Sequence, residues 1–211
     1  MSVQIRTFPV GMLQVNCYVV WAPPSTAAAV IDPGDDAEEI LAFLEQESLT
    51  AAAVLLTHAH VDHIGGVPGI ARATGVPVYV HAEDVPLYTS PENALPPWVP
   101  AAVGLPKPVT APPTIEGLTF DVLHTPGHTP GGVCFYFADD DLLISGDTLF
   151  AGSIGRTDLP GGDMATLMGS LQRVIADVPT DTVVYPGHGP TTTIGRERAS
   201  NPYITMRVDR S

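Results

Sequence analysis

Lysine is nearly missing from this 211-residue chain. Lys107 is the one example, and with eight arginines the basic total is nine against 23 acidic residues, a net charge of −14. A protein that grips nucleic acid displaces counterions with clustered Lys and Arg, so this balance argues against a nucleic-acid partner. Long apolar runs are missing too. Nothing approaches the ~18 residues of a membrane span, and Met1 to Val10 holds no apolar stretch behind a basic lead. Neither a membrane partner nor a secretory signal is expected, and the localisation expected is cytoplasmic. Cysteine is scarce. Cys17 and Cys134 both fall in segments that read as strands, so two buried free thiols are expected, with a disulfide as the alternative. Hydrophobic residues at 45% and charged residues at 15% supply a sizeable core and leave little room for disorder. The length fits one domain over 1–211, with two small domains as the alternative.

Along the chain, short strands are expected around Val3–Phe8, Val15–Trp21 and Ala27–Ile31, the third stopped by the turn signal Asp32-Pro33-Gly34. Asp35–Glu47 has an apolar stripe at helical spacing with acids in its first turn. Ala51–Leu56 reads as a buried strand, Ile64–Thr74 as a helix and Val76–Val80 as a further strand. Nine prolines between Pro86 and Pro113 predict a long structured loop, a pocket wall or a rigid surface connection. The second half repeats the rhythm: strands at Leu118–Leu123, Val133–Phe137, Leu142–Ser145 and Thr182–Tyr185, with a helix capped by Asp163. Strands alternating twice with helices suggest two packed sheets with helices outside.

What the chain does have is histidine at the ends of strands. His58-Ala59-His60-Val61-Asp62-His63, His128, Asp147 and His188 hold five of its seven histidines. His58 and His60, two apart in an extended segment, point to one side and can share an ion. Asp62 and His63 follow where the chain turns toward a helix, and Gly65-Gly66 let backbone pass close by. His-x-His alone is weak evidence; the full run followed by Gly-Gly is specific. His128 and His188 each sit in a Pro-Gly-His loop after a strand, and Asp147 ends an apolar strand, where a bridging carboxylate can sit. Taken singly, these would be a turn histidine and a helix-capping aspartate. Seven nitrogen and oxygen ligands exceed one tetrahedral ion and suit two ions sharing a carboxylate, which argues for a two-metal hydrolytic site. His81, at a strand end, reads as a cap or surface residue, and His124 as structural.

This series resembles the metallo-β-lactamase superfamily over nearly the whole chain, including Asn16-Cys17-Tyr18 and Asp32-Pro33-Gly34. Gly146-Asp147-Thr148-Leu149-Phe150, Gly155-Arg156-Thr157-Asp158 and Thr193-Ile194-Gly195 through Asn201-Pro202-Tyr203 are similar to short glyoxalase II-like hydrolases. The resemblance implies an α/β fold, a four-layer αββα sandwich. It implies that His58, His60 and His128 bind one metal, that Asp62, His63 and His188 bind the second, and that Asp147 bridges them. Asp62 and Asp147 then count as catalytic as well as ligating. Two divalent ions are implied, zinc first, with iron or manganese admissible for such donors. A hydroxide held between them would attack a small-molecule thioester such as S-lactoylglutathione, and the departing thiolate needs no strong protein acid.

One departure is visible. Full-length glyoxalase II enzymes continue past the position of Pro190 into a helical domain, whereas 21 residues follow here, with Arg196, Arg198, Arg207 and Arg210 facing either an acidic thiol or solvent. Arg156 is expected to order its loop by a salt bridge. The alternative activity is a persulfide dioxygenase, with one iron on His58, His128 and Asp147. A metal-binding scaffold without catalysis predicts substituted ligands, and none is substituted.

Overall fold

The computed structural model describes residues 2–205. The chain divides into two compact units, Met1–Thr119 and Phe120–Ser211.

The first unit is built on a five-stranded sheet in the order β1-β2-β3-β4-β5. Its strands are β1 (Gln4–Val10), β2 (Val15–Trp21), β3 (Ala27–Ile31), β4 (Thr50–Leu55) and β5 (Val78–Tyr79). The first three pair antiparallel, and β3, β4 and β5 run parallel. The edge strand β1 alternates exposed and covered residues, whereas β2 and β3 are buried almost throughout, as expected of strands covered on both faces. Helix α1 (Ala37–Gln46) buries Ile40 and Leu44, and α3 (Val67–Thr74) buries Val67 and Ile70. These side chains join Val19, Val30, Val54 and Leu56 in one apolar cluster.

The expected helix Ile64–Thr74 is two pieces, α2 (Val61–Ile64) and α3. Gly65-Gly66 separates them, because the Asp32-Pro33-Gly34 turn packs against that point. A Cβ on Gly34 would lie 1.6 Å from the Asp62 carbonyl oxygen, so only glycine admits this approach. The proline-rich stretch also carries more structure than a loop. A 3-10 turn at Ala82–Asp84 leads into it, and it opens with α4 (Val85–Tyr88) and a second 3-10 turn at Pro91–Asn93. Proline is tolerated there because it occupies first-turn positions whose N–H has no helical partner anyway. Val109 then bridges Tyr79 in parallel, with Val80 N–H donating to the Val109 carbonyl at 3.0 Å.

The second unit holds a five-stranded sheet in the order β12-β11-β8-β7-β6 and the small hairpin β9-β10. The strands are β6 (Asp121–His124), β7 (Val133–Phe137), β8 (Leu142–Gly146), β9 (Leu149–Phe150), β10 (Ser153–Ile154), β11 (Val183–Pro186) and β12 (Thr192–Thr193). Asp163 caps α5 (Met164–Asp177), accepting from Thr166 N–H at 2.7 Å. The stripe Leu167, Leu171, Val174 and Ile175 packs with Leu143 and Val184.

In the tail, α6 (Ile194–Ser200) and α7 (Pro202–Thr205) follow β12. Glu197 is fully buried and accepts from Gly152 N–H (2.8 Å), Thr192 Oγ1 (2.6 Å) and Asn201 Nδ2 (2.8 Å), tying α6 to the turn between β9 and β10. Arg196 and Arg198 flank it and are exposed. Arg207 and Arg210 lie outside the described residues.

Both cysteines are buried free thiols. Burial, and secondarily the charge of Asp32, raises the Cys17 thiol well above its ordinary range; burial pushes Cys134 up to about 11 against the lowering hydrogen bonds of Thr125 and Thr148. Neither thiol should react with an aromatic disulfide reagent at pH 8 in the folded protein, and both should react in denaturant. An unfolded thiol releases its proton near 9.0 and folded Cys134 near 11, so between these values the unfolded chain binds fewer protons. This contribution to stability is complete below pH 9 and is lost as pH rises to about 11. Urea midpoints measured across that window should fall. Glu197→Ala removes the acceptor of the buried Thr192 hydroxyl and of the part-buried Gly152 N–H, and one of two acceptors of the Asn201 amide, and should cost roughly 2–4 kcal/mol of unfolding free energy; an unchanged urea midpoint would contradict that role.

Candidate metal centre

In the first unit, β4 ends at Leu55 and its loop delivers Thr57, His58 and His60 to the start of α2, which carries Asp62 and His63. His58, His60 and His63 are all buried. The His58 ring lies 4.9 Å from that of His60 and 4.0 Å from that of His63, between centroids. The ligand atoms of His58 and His60, of His58 and His63, and of Asp62 and His63 fall within 4.8 Å of each other. His63 Nε2 stands 3.8 Å from Asp62 Oδ2.

A residue without a role at the sequence level organises this set. Asp32, 1% exposed at the end of β3, accepts from Thr57 N–H at 2.8 Å, from Thr57 Oγ1 at 2.6 Å and from His63 Nδ1 at 2.9 Å. A carboxylate only accepts, so His63 must carry its proton on Nδ1. The single Thr57 hydroxyl proton is committed to Asp32. The 3.1 Å contact between Thr57 Oγ1 and His58 Nδ1 therefore has His58 as donor. Both imidazoles present Nε2 as the lone-pair nitrogen, the form a metal needs. Ala59 N–H donates to the buried Asp84 at 3.0 Å, which fixes the backbone between His58 and His60. An acid ending an apolar strand was the available sign of Asp32. Nothing local marked Asp84, 25 residues downstream of the N–H it binds.

The second unit brings His128, Asp147 and His188 together. His128 Nε2 lies 3.6 Å and His188 Nε2 3.8 Å from Asp147 Oδ2. Asp147 directly follows β8, and His188 follows β11 by one glycine whose N–H donates to the Gly146 carbonyl at 2.8 Å, holding the two strand ends in step. The His128 loop is closed by Thr125 N–H to the Gly132 carbonyl (2.8 Å) and anchored to the cap of α5 by Asp163 N–H to the Gly127 carbonyl (2.8 Å). His128 Nδ1 donates to the Arg156 carbonyl at 2.7 Å, so here too Nε2 keeps the lone pair. A Cβ on Gly155 would fall 1.9 Å from the Asp147 carbonyl oxygen, so glycine is required for the Arg156 segment to reach His128. The exposed Arg156 side chain makes the expected salt bridge, two 2.7 Å bonds to Asp158, which hold the Asp158 carboxyl down at about 2. Arg156 orders the site through its backbone. His124 and His81 are structural: His124 Nε2 contacts the Pro130 carbonyl at 2.9 Å, and His81 caps a 3-10 turn, accepting from Glu83 N–H at 3.4 Å.

Each unit therefore carries a histidine–aspartate set, and neither set contains a thiol. Imidazole and carboxylate donors of this kind, with ring protons pinned on the far nitrogen, suit divalent zinc, iron or manganese. The donors make this a candidate metal centre on an α/β frame.

The family model described as Metallo-beta-lactamase superfamily matches residues 10–188, and the chain belongs to that superfamily. It is 35% identical over 216 residues to hydroxyacylglutathione hydrolase GloC of Haemophilus influenzae (strain ATCC 51907 / DSM 11121 / KW20 / Rd), covering 96% of this chain and 99% of that protein. Among solved structures, BLEG-1 B3 metallo-beta-lactamase is 40% identical with a TM-score of 0.87, covering 96% of this chain and 100% of that one. TTHA1623 in a di-iron-bound form is 44% identical with a TM-score of 0.84, covering 94% and 99%. The expected α/β fold of the metallo-β-lactamase type is thus the fold found. Among the described residues, no helix is long and apolar enough to cross a membrane.

Asp32→Ala should lower the affinity of the His63 metal position about 10–100-fold, because the imidazole loses the partner that sets its tautomer. Metal titration followed by calorimetry, with circular dichroism as the folding control, measures this; unchanged affinity in a folded variant would remove Asp32 from the site.

Proposed function

We propose that this protein is a dinuclear, metal-dependent thioester hydrolase of the cytoplasm, acting on S-lactoylglutathione or a related S-acyl thiol. The observation that carries the reading is the contact that three imidazoles make through Nδ1 with a protein oxygen. His58, His63 and His128 each spend Nδ1–H on a protein acceptor and turn Nε2 to a ligand's role. The name of the Haemophilus influenzae relative supports the thioester, and the di-iron form of TTHA1623 makes iron as admissible as zinc.

In this reading His58, His60 and His128 hold one ion, Asp62, His63 and His188 hold the other, and Asp147 is shared. When bound, such ions supply Lewis acidity and a water deprotonated near neutral pH. The protein's own part is to fix the donors. Asp32 and Thr57 lock His63 and His58, the Arg156 carbonyl locks His128, and Asp62 and Asp147 place negative charge beside the reacting atoms. In the net reaction the acyl C–S bond breaks, a C–O bond from water forms, and the thiol departs with the proton. A thiol is a low-pKa leaving group, which fits a site without a further acid.

The test is hydrolysis of S-lactoylglutathione with metal content determined on the same sample. Chelator-sensitive turnover with about two ions per chain is expected. Asp147→Ala should lower kcat/KM at least about a hundredfold and release metal, while His81→Ala should keep normal turnover and metal content. No thioester turnover, a single iron and oxygen uptake on a persulfide would replace this reading with the dioxygenase.

A further inference from the structure

A groove of about 240 Å³ lies wholly within the first unit, and Asp62 is part of its lining. Its apolar walls come from two segments far apart in sequence: Met12 and Leu13 on the β1–β2 turn, and Trp98, Val99 and Pro100 from the proline-rich stretch. Met12 is 74% exposed and Trp98 60%. Large apolar side chains this open on otherwise ordered backbone mark a contact surface. Both walls are ordered. Gly11 N–H donates to Asp36 at 2.9 Å, and the Gln14 side chain closes the turn onto the Gly11 carbonyl at 2.8 Å. Leu95 and Val99 exchange two backbone bonds of 3.0 and 2.9 Å, and Ala102 N–H is held by Asn93 at 3.0 Å. The backbone is thus fixed in advance while the apolar faces stay open, the arrangement that lowers the cost of taking up a ligand.

Resting on the thioesterase reading, we propose that this groove binds the acyl arm of the substrate, and that the preferred thioester carries an apolar chain or ring. Three observations fix the occupant. Asp62, one of the candidate ligands, is part of the groove's lining. The volume is below that of a site for a whole drug-sized ligand, about 300–1,000 Å³, so it takes one arm of the thioester. Among the described residues, its charged lining is Asp35 and the ligand Asp62, with no basic side chain to receive the carboxylates of a thiol such as glutathione, which leaves the acyl side. The proline-rich stretch then has a task, holding Trp98 rigidly at the groove.

The experiment compares kcat/KM for S-octanoylglutathione and S-lactoylglutathione in the wild type and in a Trp98→Ala, Met12→Ser double variant. The octanoyl-to-lactoyl ratio should exceed one and fall roughly tenfold or more in the variant, through KM. Binding is read separately in Trp21→Phe, which leaves Trp98 as the only tryptophan of the two and keeps a ring against Phe43. Titration with the thioether S-octylglutathione should shift its emission saturably, and S-methylglutathione should not. Hydrolysis of both esters with an unaltered ratio and flat emission would overturn the groove assignment and leave the thioesterase reading standing. Hydrolysis of neither ester, with the emission shift intact, would sink the thioesterase reading and retain an apolar ligand groove. Emission that changes with protein concentration alone, together with a dimer in size-exclusion chromatography, would assign the groove to a second copy and overturn the proposal.

Discussion

Three donors converge on the buried carboxylate of Asp32, and the geometry of the first histidine set depends on them. The Thr57 N–H and hydroxyl bring the loop after β4 to the end of β3, while His63 Nδ1 brings in the helix that follows. Buried charge is stable only where it is hydrogen-bonded, so this carboxylate holds its partners as firmly as they hold it. Because it can only accept, it also dictates where protons reside on His63 and, through Thr57, on His58. One interaction thereby joins three elements and sets two tautomers.

The second unit solves the same problem with backbone. The Arg156 carbonyl takes the place of a carboxylate for His128, and the Gly187 N–H links the ends of β8 and β11 that carry His188 and Asp147. This requires close backbone approach, hence glycine at 155. The tail supports the arrangement from behind: Glu197 grips the β9–β10 turn, and Phe150 on β9 lies 6.3 Å from the His188 ring.

Much of this was legible in the residue order. β2, β3 and β7 coincide with the expected strands, since apolar runs between turn signals leave little choice. The Asp163 cap and the stripe of α5 were equally plain. Elements failed where tertiary packing overrode local preference. The helix after His63 breaks at Gly65-Gly66 because the Asp32-Pro33-Gly34 turn occupies that space. The start of the proline-rich stretch forms short helical turns because Pro86 and Pro91 fall at helix starts. Of the candidate ligands, His58, His60, His128, Asp147 and His188 lie on loops after strands and Asp62 and His63 on α2, whereas Asp84 and the Arg156 carbonyl carried no signal, being defined only by what they reach.

By itself the sequence determined the donor types, their spacing and the acidic, lysine-poor character of the chain. These are chemical properties of residues and survive without a fold. Only the tertiary structure decided which nitrogen of His63 and His128 keeps its lone pair, because that depends on an acceptor, Asp32 or the Arg156 carbonyl, held by a distant part of the chain. It also decided that Met12 and Trp98, 86 residues apart, stand around one groove beside Asp62. Proximity of that kind is made by chain folding and is written in no local pattern.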